Sequence, residues 1–268
     1  MSASAIASPG TWIAKLVGPG FDEVAALHSV LRSHGPGVMV DVGAHHGQSL
    51  RPFAEDGWHV HAFEPDPDNR AVLVQRIGSM ANVTVDGRAI ASRDAETVTL
   101  YTSQISSGIS TLTAFHSSNR PGAQVETVRL DTYLAAADEV TVLKTDAEGY
   151  DFPILQTFPW DRLHPRGVVC EFEDRRSAAH GYDYRDMAEF LVRHGYAVLV
   201  SEWYPVVEYG QQHRWRTIRR YPVELSDARA WGNLIGVDPP VVTDVLAQAA
   251  KVNRLRSRAR RLVGALRR

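Results

Sequence analysis

The chain has 268 residues, of which 44% are hydrophobic and 22% are charged, and its formal net charge is −2. The single cysteine, Cys170, excludes a disulfide framework within the chain and agrees with a reducing compartment. We expect a cytoplasmic protein, because no signal peptide is visible and no apolar run is long enough to span a bilayer.

The predicted elements alternate between short apolar strands and helices with apolar periodicity, which predicts an α/β fold with a doubly wound, mostly parallel sheet. We predict strands over Val38–Val42, Trp58–Phe63, Val83–Ile90, Thr97–Tyr101, Val125–Leu130, Val140–Thr145, Gly167–Phe172 and Tyr196–Ser201, and a final antiparallel strand over Trp231–Val237. We predict helices over Phe21–Ser33, Gln48–Glu55, Pro67–Ile77, Asp131–Ala136, Gly149–Phe158 and Tyr184–His194, and a C-terminal amphipathic helix after Pro240.

Three regions follow from this pattern. Residues 1–36 form a lead-in and helix, 37–238 a ligand-binding domain, and 239–268 the basic C-terminal helix. The polar stretch 103–124 is expected to be a loop that contributes to an acceptor site. The stretch 202–222 combines tryptophans and tyrosines with arginines, so we expect a cap that stacks on sugar rings and binds an anion.

The stretch Val38–Pro65 is typical of a nucleoside cofactor site. Gly43 and Gly47 follow the first strand with the spacing G-x-x-x-G, and His45 replaces the middle glycine that a pyrophosphate needs. This disfavours a nicotinamide dinucleotide and favours S-adenosylmethionine, whose aminoacyl end the turn amides and a nearby acid could contact. Glu64 closes the second strand, where a carboxylate can accept hydrogen bonds from both ribose hydroxyls.

Several carboxylates gather at the carboxyl ends of later strands, where ligands bind in open α/β sheets. Three explanations remain open for them. They could form a general base with its supporting partners, bind Mg²⁺, or pair with basic residues. The carboxylates are Asp146, Glu148, Glu171 and Glu173, and the basic residues are Lys144, Arg175 and Arg176.

The blocks DVGAHHG, FEPDPDN and LKTDAEGYDFPIL resemble the FkbM-type methyltransferases, from Val38 to Glu173 and more loosely to Val237. His45 stands where that family more often has an asparagine. The resemblance implies the Rossmann-like fold of class I methyltransferases, S-adenosylmethionine as cofactor, and methylation of a hydroxyl of a macrolide, a sugar or a related product. We therefore predict an O-methyltransferase that acts on a glycan or a glycosylated small molecule.

The predicted site residues come from both turns and the acidic cluster. The predicted cofactor-binding residues are Asp41, Gly43, Ala44, His45, Gly47, Glu64, Pro65, Arg88, Ala89 and Asp146. The predicted catalytic residues are Asp146, Glu148, Lys144 and Glu171, and the ligands of Mg²⁺, if it binds, are Asp146, Glu171 and Glu173. His45 or His46 could instead be an acceptor-side base.

Eight of the 29 basic residues lie in Lys251–Arg268, which contains no acid. The rest of the chain therefore has 21 basic residues and all 31 acids, so the body is acidic and the tail is basic. This basic amphipathic helix could pack on the protein or an oligomer, contact an anionic membrane, or bind a partner. Nucleic acid is not expected, because the acidic body would repel phosphates. The alternative to an enzyme is a non-catalytic cofactor-binding scaffold that docks to a glycan-assembly system through this helix.

Overall fold

The computed structural model describes residues 20–103, 111, 119–206 and 213–266. The helices are α1 Glu23–Leu31, α2 Arg51–Glu55, α3 Pro67–Ile77, α4 Leu130–Tyr133, α5 Asp151–Gln156, α6 Asp174–Ser177, α7 Tyr184–Arg193 and α8 Val242–Leu266. The strands are β1 Val38–Val42, β2 His59–Phe63, β3 Val83–Asp86, β4 Ala89–Ile90, β5 Thr97–Ser103, β6 Asn119–Val128, β7 Val142–Thr145, β8 Gly167–Glu173, β9 Ala197–Trp203, β10 Trp215–Arg220 and β11 Trp231–Val237.

The main sheet has eight strands in the order β10-β9-β11-β8-β7-β1-β2-β3. Its central pairs are parallel, whereas β11 is inserted antiparallel between β8 and β9. The predicted doubly wound, mostly parallel α/β fold is confirmed, as is the antiparallel strand over Trp231–Val237. A separate three-stranded sheet has the order β4-β6-β5 and includes the end of the polar stretch 103–124.

Helices cover both faces of the main sheet, and β1 is apolar on both sides. Met39 belongs to a buried cluster with Leu27 of α1 and Val245 of α8. Val40 belongs to a second cluster with residues of α5 and α7 on the opposite face. Burial on both faces explains why the strands at the centre are almost continuously apolar.

The polar stretch 103–124 is only partly a loop, which corrects the prediction. Its last residues extend β6, and Gln124 and Arg120 pair with Thr99 and Thr102 of β5. Thr111 forms a β-bridge with Tyr101. The remaining residues of the stretch, 104–110 and 112–118, lie outside the described part of the chain.

The stretch 202–222 is not a separate cap, because much of it belongs to the main sheet. β10 pairs antiparallel with β9, and the Trp215 ring is buried against Phe21 with 5.1 Å between ring centroids. Arg216 and Arg219 donate hydrogen bonds to the buried carboxylate of Glu202. The sequence analysis did not predict β10, because its aromatic and basic residues are also typical of a ligand-binding surface.

Several predicted elements are shorter in the structure, and two of these differences have a visible cause. The helix expected from Gln48 begins at Arg51, because Gly47 adopts a left-handed φ of 80° and the chain continues through turns. The strand expected over Val83–Ile90 breaks after Asp86, where the Arg88 amide donates to the Asp86 carboxylate at 2.8 Å. Its last two residues then join the small sheet as β4.

The C-terminal helix α8 changes character along its length. Val245 and Ala249 are buried beside α1, whereas Leu255 is 64% exposed in the basic half. Packing on the protein therefore accounts for the first half, and contact of the second half with an anionic membrane stays a prediction. Among the described helices, none combines the length and apolarity that crossing a bilayer requires.

Candidate active site

A cavity of about 310 Å³ lies at the carboxyl edge of the main sheet, within the range of about 300–1,000 Å³ that small-molecule sites occupy. The turns that follow β1, β2 and β7 form its floor. The predicted residues among its described lining are Gly43, Ala44, His45, Glu64, Pro65, Ala89, Lys144, Asp146 and Glu148. The fold therefore brings both predicted turns into one site.

Gly43 is required by the packing of the two turns. It has a φ of 75°, and a β-carbon there would meet the backbone oxygen of Asp146. The amides of Gly43 and Ala44 donate to the Phe63 carbonyl oxygen, each at 3.0 Å. We predicted that the turn amides contact the aminoacyl end of S-adenosylmethionine. The structure does not support this for Gly43 and Ala44, because both amides already donate to the Phe63 carbonyl oxygen.

Glu64 is 4% exposed and lies on the cavity side of the turn after β2. One carboxylate oxygen accepts the His45 amide at 2.7 Å, and the other accepts the Asp66 amide at 2.9 Å. Burial raises the pKa of Glu64 to about 7, although both amides favour the charged form. Each oxygen has a second lone pair, so the carboxylate can still accept hydrogen bonds from a vicinal diol.

Asp41 and Lys144 form a buried ion pair beneath the cavity. The two residues are partners in the parallel register of β1 and β7, which places Lys144 Nζ 3.0 Å from Asp41 Oδ1. Nζ also donates to the Gly43 carbonyl at 2.7 Å. Burial lowers the pKa of Lys144, but the charges of Asp41 and Asp146 outweigh it and raise the pKa overall.

Asp41 is fully buried and lies behind the described lining of the cavity, not in it. Its Oδ2 accepts a hydrogen bond from the Ser49 hydroxyl at 2.6 Å. Burial raises the pKa of Asp41, whereas Lys144 and Ser49 favour its charged form. The geometry therefore gives Asp41 the role of positioning Lys144, and direct contact with a cofactor is not what this placement favours.

Two other predicted cofactor residues lie outside the described lining. A β-carbon on Gly47 would meet Leu73 Cδ1 at 2.8 Å, so this glycine allows the turn to pack on α3. The Arg88 guanidinium binds both oxygens of Asp86, which holds the side chain away from the cavity. Ala89, the residue after it, does reach the cavity wall.

Asp146 is the most open carboxylate of the predicted cluster, with 43% of its side chain exposed. Its amide donates to the Val42 carbonyl at 3.1 Å, which fixes it to the end of β1. Its Oδ2 lies 3.7 Å from Lys144 Nζ. A carboxylate with room beside it and a cation behind it is suited to accepting a proton from a bound hydroxyl.

Arg176 explains most of the remaining acidic cluster. Its guanidinium contacts the carboxylates of Glu148 and Glu171, and its Nε lies 2.7 Å from Glu173 Oε2. Burial raises the pKa of both Glu148 and Glu171, and Arg176 opposes that rise. Of the three explanations left open, ion pairing therefore accounts for these three glutamates, and only Glu148 lines the cavity.

The predicted metal ligands do not gather as a set. Oxygens of Asp146, Glu148 and Glu171 lie within 4.8 Å of one another, whereas Glu173 is directed to Arg176. A guanidinium that already contacts two of these three residues would repel a divalent cation. The arrangement of this cluster therefore favours ion pairs with the Arg176 side chain over the binding of Mg²⁺.

His45 belongs to the cavity rim and adopts an unusual conformation. Its φ is 47°, and its ring stacks on His46 with centroids 3.7 Å apart. Burial lowers the pKa of His45, with the charge of His46 adding to the effect. Both effects favour the neutral imidazole, and an acceptor-side base at this position stays a prediction.

Several functional residues escaped the sequence analysis. Leu100 of β5 and Thr111, which is bridged to β5, join Ile90 in a largely apolar wall that suits an adenine ring. Asp151 accepts the Thr145 hydroxyl at 2.7 Å and holds the turn before α5. The alternation over Thr97–Tyr101 indicated a strand next to a polar insertion, but not which of its residues would reach the site.

A comparison with known families decides what kind of site this is. The methyltransferase FkbM domain matches residues 41–198, which is more than half of the chain. The chain belongs to the FkbM methyltransferase family. No curated protein sequence matches it.

Solved structures of other methyltransferases are similar to this FkbM protein at low sequence identity. Precorrin-6y C5,15-methyltransferase from Geobacter metallireducens is 14% identical, with 81% of this chain and 87% of that one covered and a TM-score of 0.43. An rRNA methylase from Streptococcus thermophilus is 11% identical, with 81% and 98% covered and a TM-score of 0.41.

The FkbM family implies S-adenosylmethionine, and the residues of the cavity fit this cofactor. Glu64 offers oxygens to the ribose hydroxyls, and the wall of Ile90, Leu100 and Thr111 offers apolar surface to the adenine. Lys144, which lines the cavity and is paired with Asp41, would offer an N–H group to the aminoacyl carboxylate. The protein is therefore a methyltransferase of the S-adenosylmethionine type.

Proposed function

We propose that this methyltransferase transfers its methyl group to a hydroxyl of a sugar, in a polysaccharide, a glycolipid or a glycosylated small molecule. Asp146 carries the proposal, because it is a half-exposed carboxylate in the cavity with Lys144 behind it. An alcohol oxygen is a poor nucleophile until its proton is removed or shared, and a positioned carboxylate accelerates that step about 10²–10⁴-fold.

The mechanism assigns a separate task to each part of the cavity. S-adenosylmethionine supplies an activated methyl group. Glu64 and the apolar wall orient the nucleoside, and Lys144 neutralises Asp41 and holds the Gly43 carbonyl, so that the turn keeps its shape. Asp146 accepts the hydroxyl proton as the acceptor oxygen attacks, and alignment of the oxygen behind the methyl supplies much of the remaining acceleration.

The proposed sugar acceptor has support beside the cavity. Asn233 lines the cavity, and Trp231 stands two residues before it on β11. The half-buried rings of Trp231 and Trp203 have centroids 5.4 Å apart at the same edge of the sheet. We call these two rings the tryptophan pair; aromatic faces of this kind pack against the apolar faces of sugar rings.

A transfer assay with labelled methyl groups tests the proposal. The wild-type protein should methylate at least one member of a panel of glycans, with and without EDTA. Asp146→Asn should lower the rate at least about 100-fold, and its affinity for S-adenosylhomocysteine should stay within about threefold of the wild type. Asp161→Asn, which makes the same change at an exposed site, should leave both unchanged.

Two outcomes would reject the proposal. If Asp146→Asn transfers methyl groups at the wild-type rate, the base is another group. If the wild-type protein binds S-adenosylhomocysteine but labels no hydroxyl in the panel, the alternative of a non-catalytic scaffold is favoured.

A further inference from the structure

A second cavity, of about 160 Å³, lies between the start of β10 and the helix α8. We call it the arginine cleft. Its described lining is Tyr204, Arg214, Trp215, Arg216, Asn253, Arg256 and Ser257, which shares no residue with the described lining of the active-site cavity. This lining includes three arginines and no acid, so the cleft is a basic site separate from the methyl-transfer site.

The arginines are held in fixed positions around the cleft. The guanidinium carbons of Arg214 and Arg216 lie 4.8 Å and 4.3 Å from the centroid of the Tyr204 ring. Arg256 lies over the Trp215 ring at 5.6 Å and donates to the Trp215 carbonyl at 3.2 Å. Stacked guanidiniums keep their N–H groups in one plane, which is the geometry that oxyanions bind.

The ion pair described for this group is shared with an arginine outside the cleft. Arg216 binds Glu202, but Arg219 binds the other oxygen of the same carboxylate, so one negative charge serves two guanidiniums. Lys251, Arg254 and Arg258 belong to the same helix, but they lie outside the described lining of the cleft. The cleft therefore keeps a positive potential that attracts an anion.

The helix side of the cleft adds neutral hydrogen-bonding groups. Asn253 and Ser257 lie four residues apart on α8, with Arg256 between them, so all three are on one face of the helix. An amide, a hydroxyl and three guanidiniums around 160 Å³ suit a group with several oxygens and more than one negative charge. A phosphate monoester or a diphosphate has this chemistry.

The arginine cleft and Asp146 lie at the same edge of the sheet. β10 begins and β7 ends at this edge, and the strand order separates them by four strand spacings. At about 4.8 Å a spacing, the two sites are roughly 19 Å apart along the sheet. The tryptophan pair lies between them on β9 and β11, which places aromatic surface at the edge between the cavity and the cleft.

We propose that the arginine cleft binds the phosphate or diphosphate group of the methyl acceptor, at the end remote from the hydroxyl that is methylated. The inference rests on the proposed function for the identity of the ligand. The binding of phosphate can be measured without methyl transfer, so the two can fail separately.

Calorimetric titration with inorganic pyrophosphate tests the cleft directly. The full-length protein should bind pyrophosphate, and Arg214→Gln and Arg256→Gln should each weaken binding about tenfold, as expected for loss of a charge-assisted hydrogen bond. Arg258→Gln, an exposed arginine of the same helix outside the cleft lining, should change binding less than twofold. Affinity for S-adenosylhomocysteine should be equal in all four proteins.

Two further arms identify the source of the phosphate. A soluble sugar nucleotide and phosphatidylcholine vesicles carrying a polyprenyl diphosphate are compared for binding to the same four proteins. Binding that falls in Arg214→Gln and Arg256→Gln, but not in Arg258→Gln, supports the cleft and assigns its ligand to that source. Absence of pyrophosphate binding, or equal losses in all three variants, overturns the proposal.

Discussion

A β-carbon added to Gly43 would lie 2.0 Å from the backbone carbonyl oxygen of Asp146. The turn that shapes the cofactor cavity and the turn that carries the proposed base are therefore in direct backbone contact. In the other direction, the Asp146 amide donates to the Val42 carbonyl at 3.1 Å. The position of the carboxylate thus depends on the conformation of the turn after β1.

Gly43→Ala should lower both stability and cofactor binding. Alanine is strained at a φ of 75°, and its β-carbon would displace a backbone atom that has no flexible end. We expect at least about 3 kcal/mol of lost unfolding free energy and at least tenfold weaker binding of S-adenosylhomocysteine. Denaturant unfolding and calorimetry measure the two effects.

Gly35→Ala is the matched control for this change. Gly35 has a φ of 88°, but no atom lies within 4 Å of its added β-carbon. Gly35→Ala should lose only the free energy of the strained backbone, about 1–3 kcal/mol, and keep full cofactor affinity. Equal losses in both variants would show that the contact with Asp146 does not matter.

Lys144→Met should destabilise the protein strongly, because it leaves the charge of Asp41 buried without its ion pair. Removing one partner of a buried pair costs about 3–5 kcal/mol. The double variant Asp41→Asn/Lys144→Met should regain part of this loss, since no uncompensated charge remains. Unfolding of the two single variants and the double variant completes a double-mutant cycle, and simple additivity would contradict the pairing.

Affinity for S-adenosylhomocysteine should rise between pH 6 and pH 8. Burial raises the pKa of Glu64 to about 7, so the carboxylate is mostly protonated at pH 6 and mostly charged at pH 8. The charged form is the better acceptor for the ribose hydroxyls, which predicts a rise of roughly tenfold. Glu64→Gln should bind more weakly and without this pH dependence; an unchanged pH profile would point to another group.

Glu23→Gln should change how stability depends on pH. Glu23 accepts the Ser201 hydroxyl at 2.5 Å and the Trp203 indole N–H at 2.8 Å, and burial raises its pKa to about 7. Because the folded state holds the proton more tightly than the unfolded state, this group makes stability fall as pH rises from about 4.5 to 7.

Relative to the wild type, Glu23→Gln should therefore gain up to about 3 kcal/mol between pH 4.5 and pH 8. Thermal unfolding across this range measures the gain. Glu55→Gln, at an exposed position of α2, should run parallel to the wild type. A gain in Glu23→Gln that is constant with pH would show that burial of charge is not the cause.

The succession of strands and helices along the chain and the position of both turns could be predicted because their signals are local. Pro67 begins α3 where expected, and Asp66 caps it by accepting two amides. The positions of Gly43 and Glu64 could be predicted in the same way, because each residue directly follows an apolar strand. The contacts between distant segments could not be predicted in this way.

Trp215 and Arg176 are two residues whose contacts could not be predicted from the sequence. Trp215 looked like a ligand-stacking residue, yet pairing with β9 buries it in the core. Arg176 was one of several possible partners for the acids, and only the packing of its helix beside β8 brings it to three glutamates. Both outcomes depend on tertiary contacts that leave no periodic signal in the sequence.

His45 and Glu148, which face the cavity from opposite turns, both hold left-handed backbone conformations that are costly for residues other than glycine. Glycine at either position would relieve the backbone and remove a side chain from the rim. Of the three non-glycine residues with positive φ in the described part of the chain, these two line the cavity and Ala95 does not, so most of this backbone strain is stored beside the ligand site. Selection for thermal stability alone would be expected to erode this rim first.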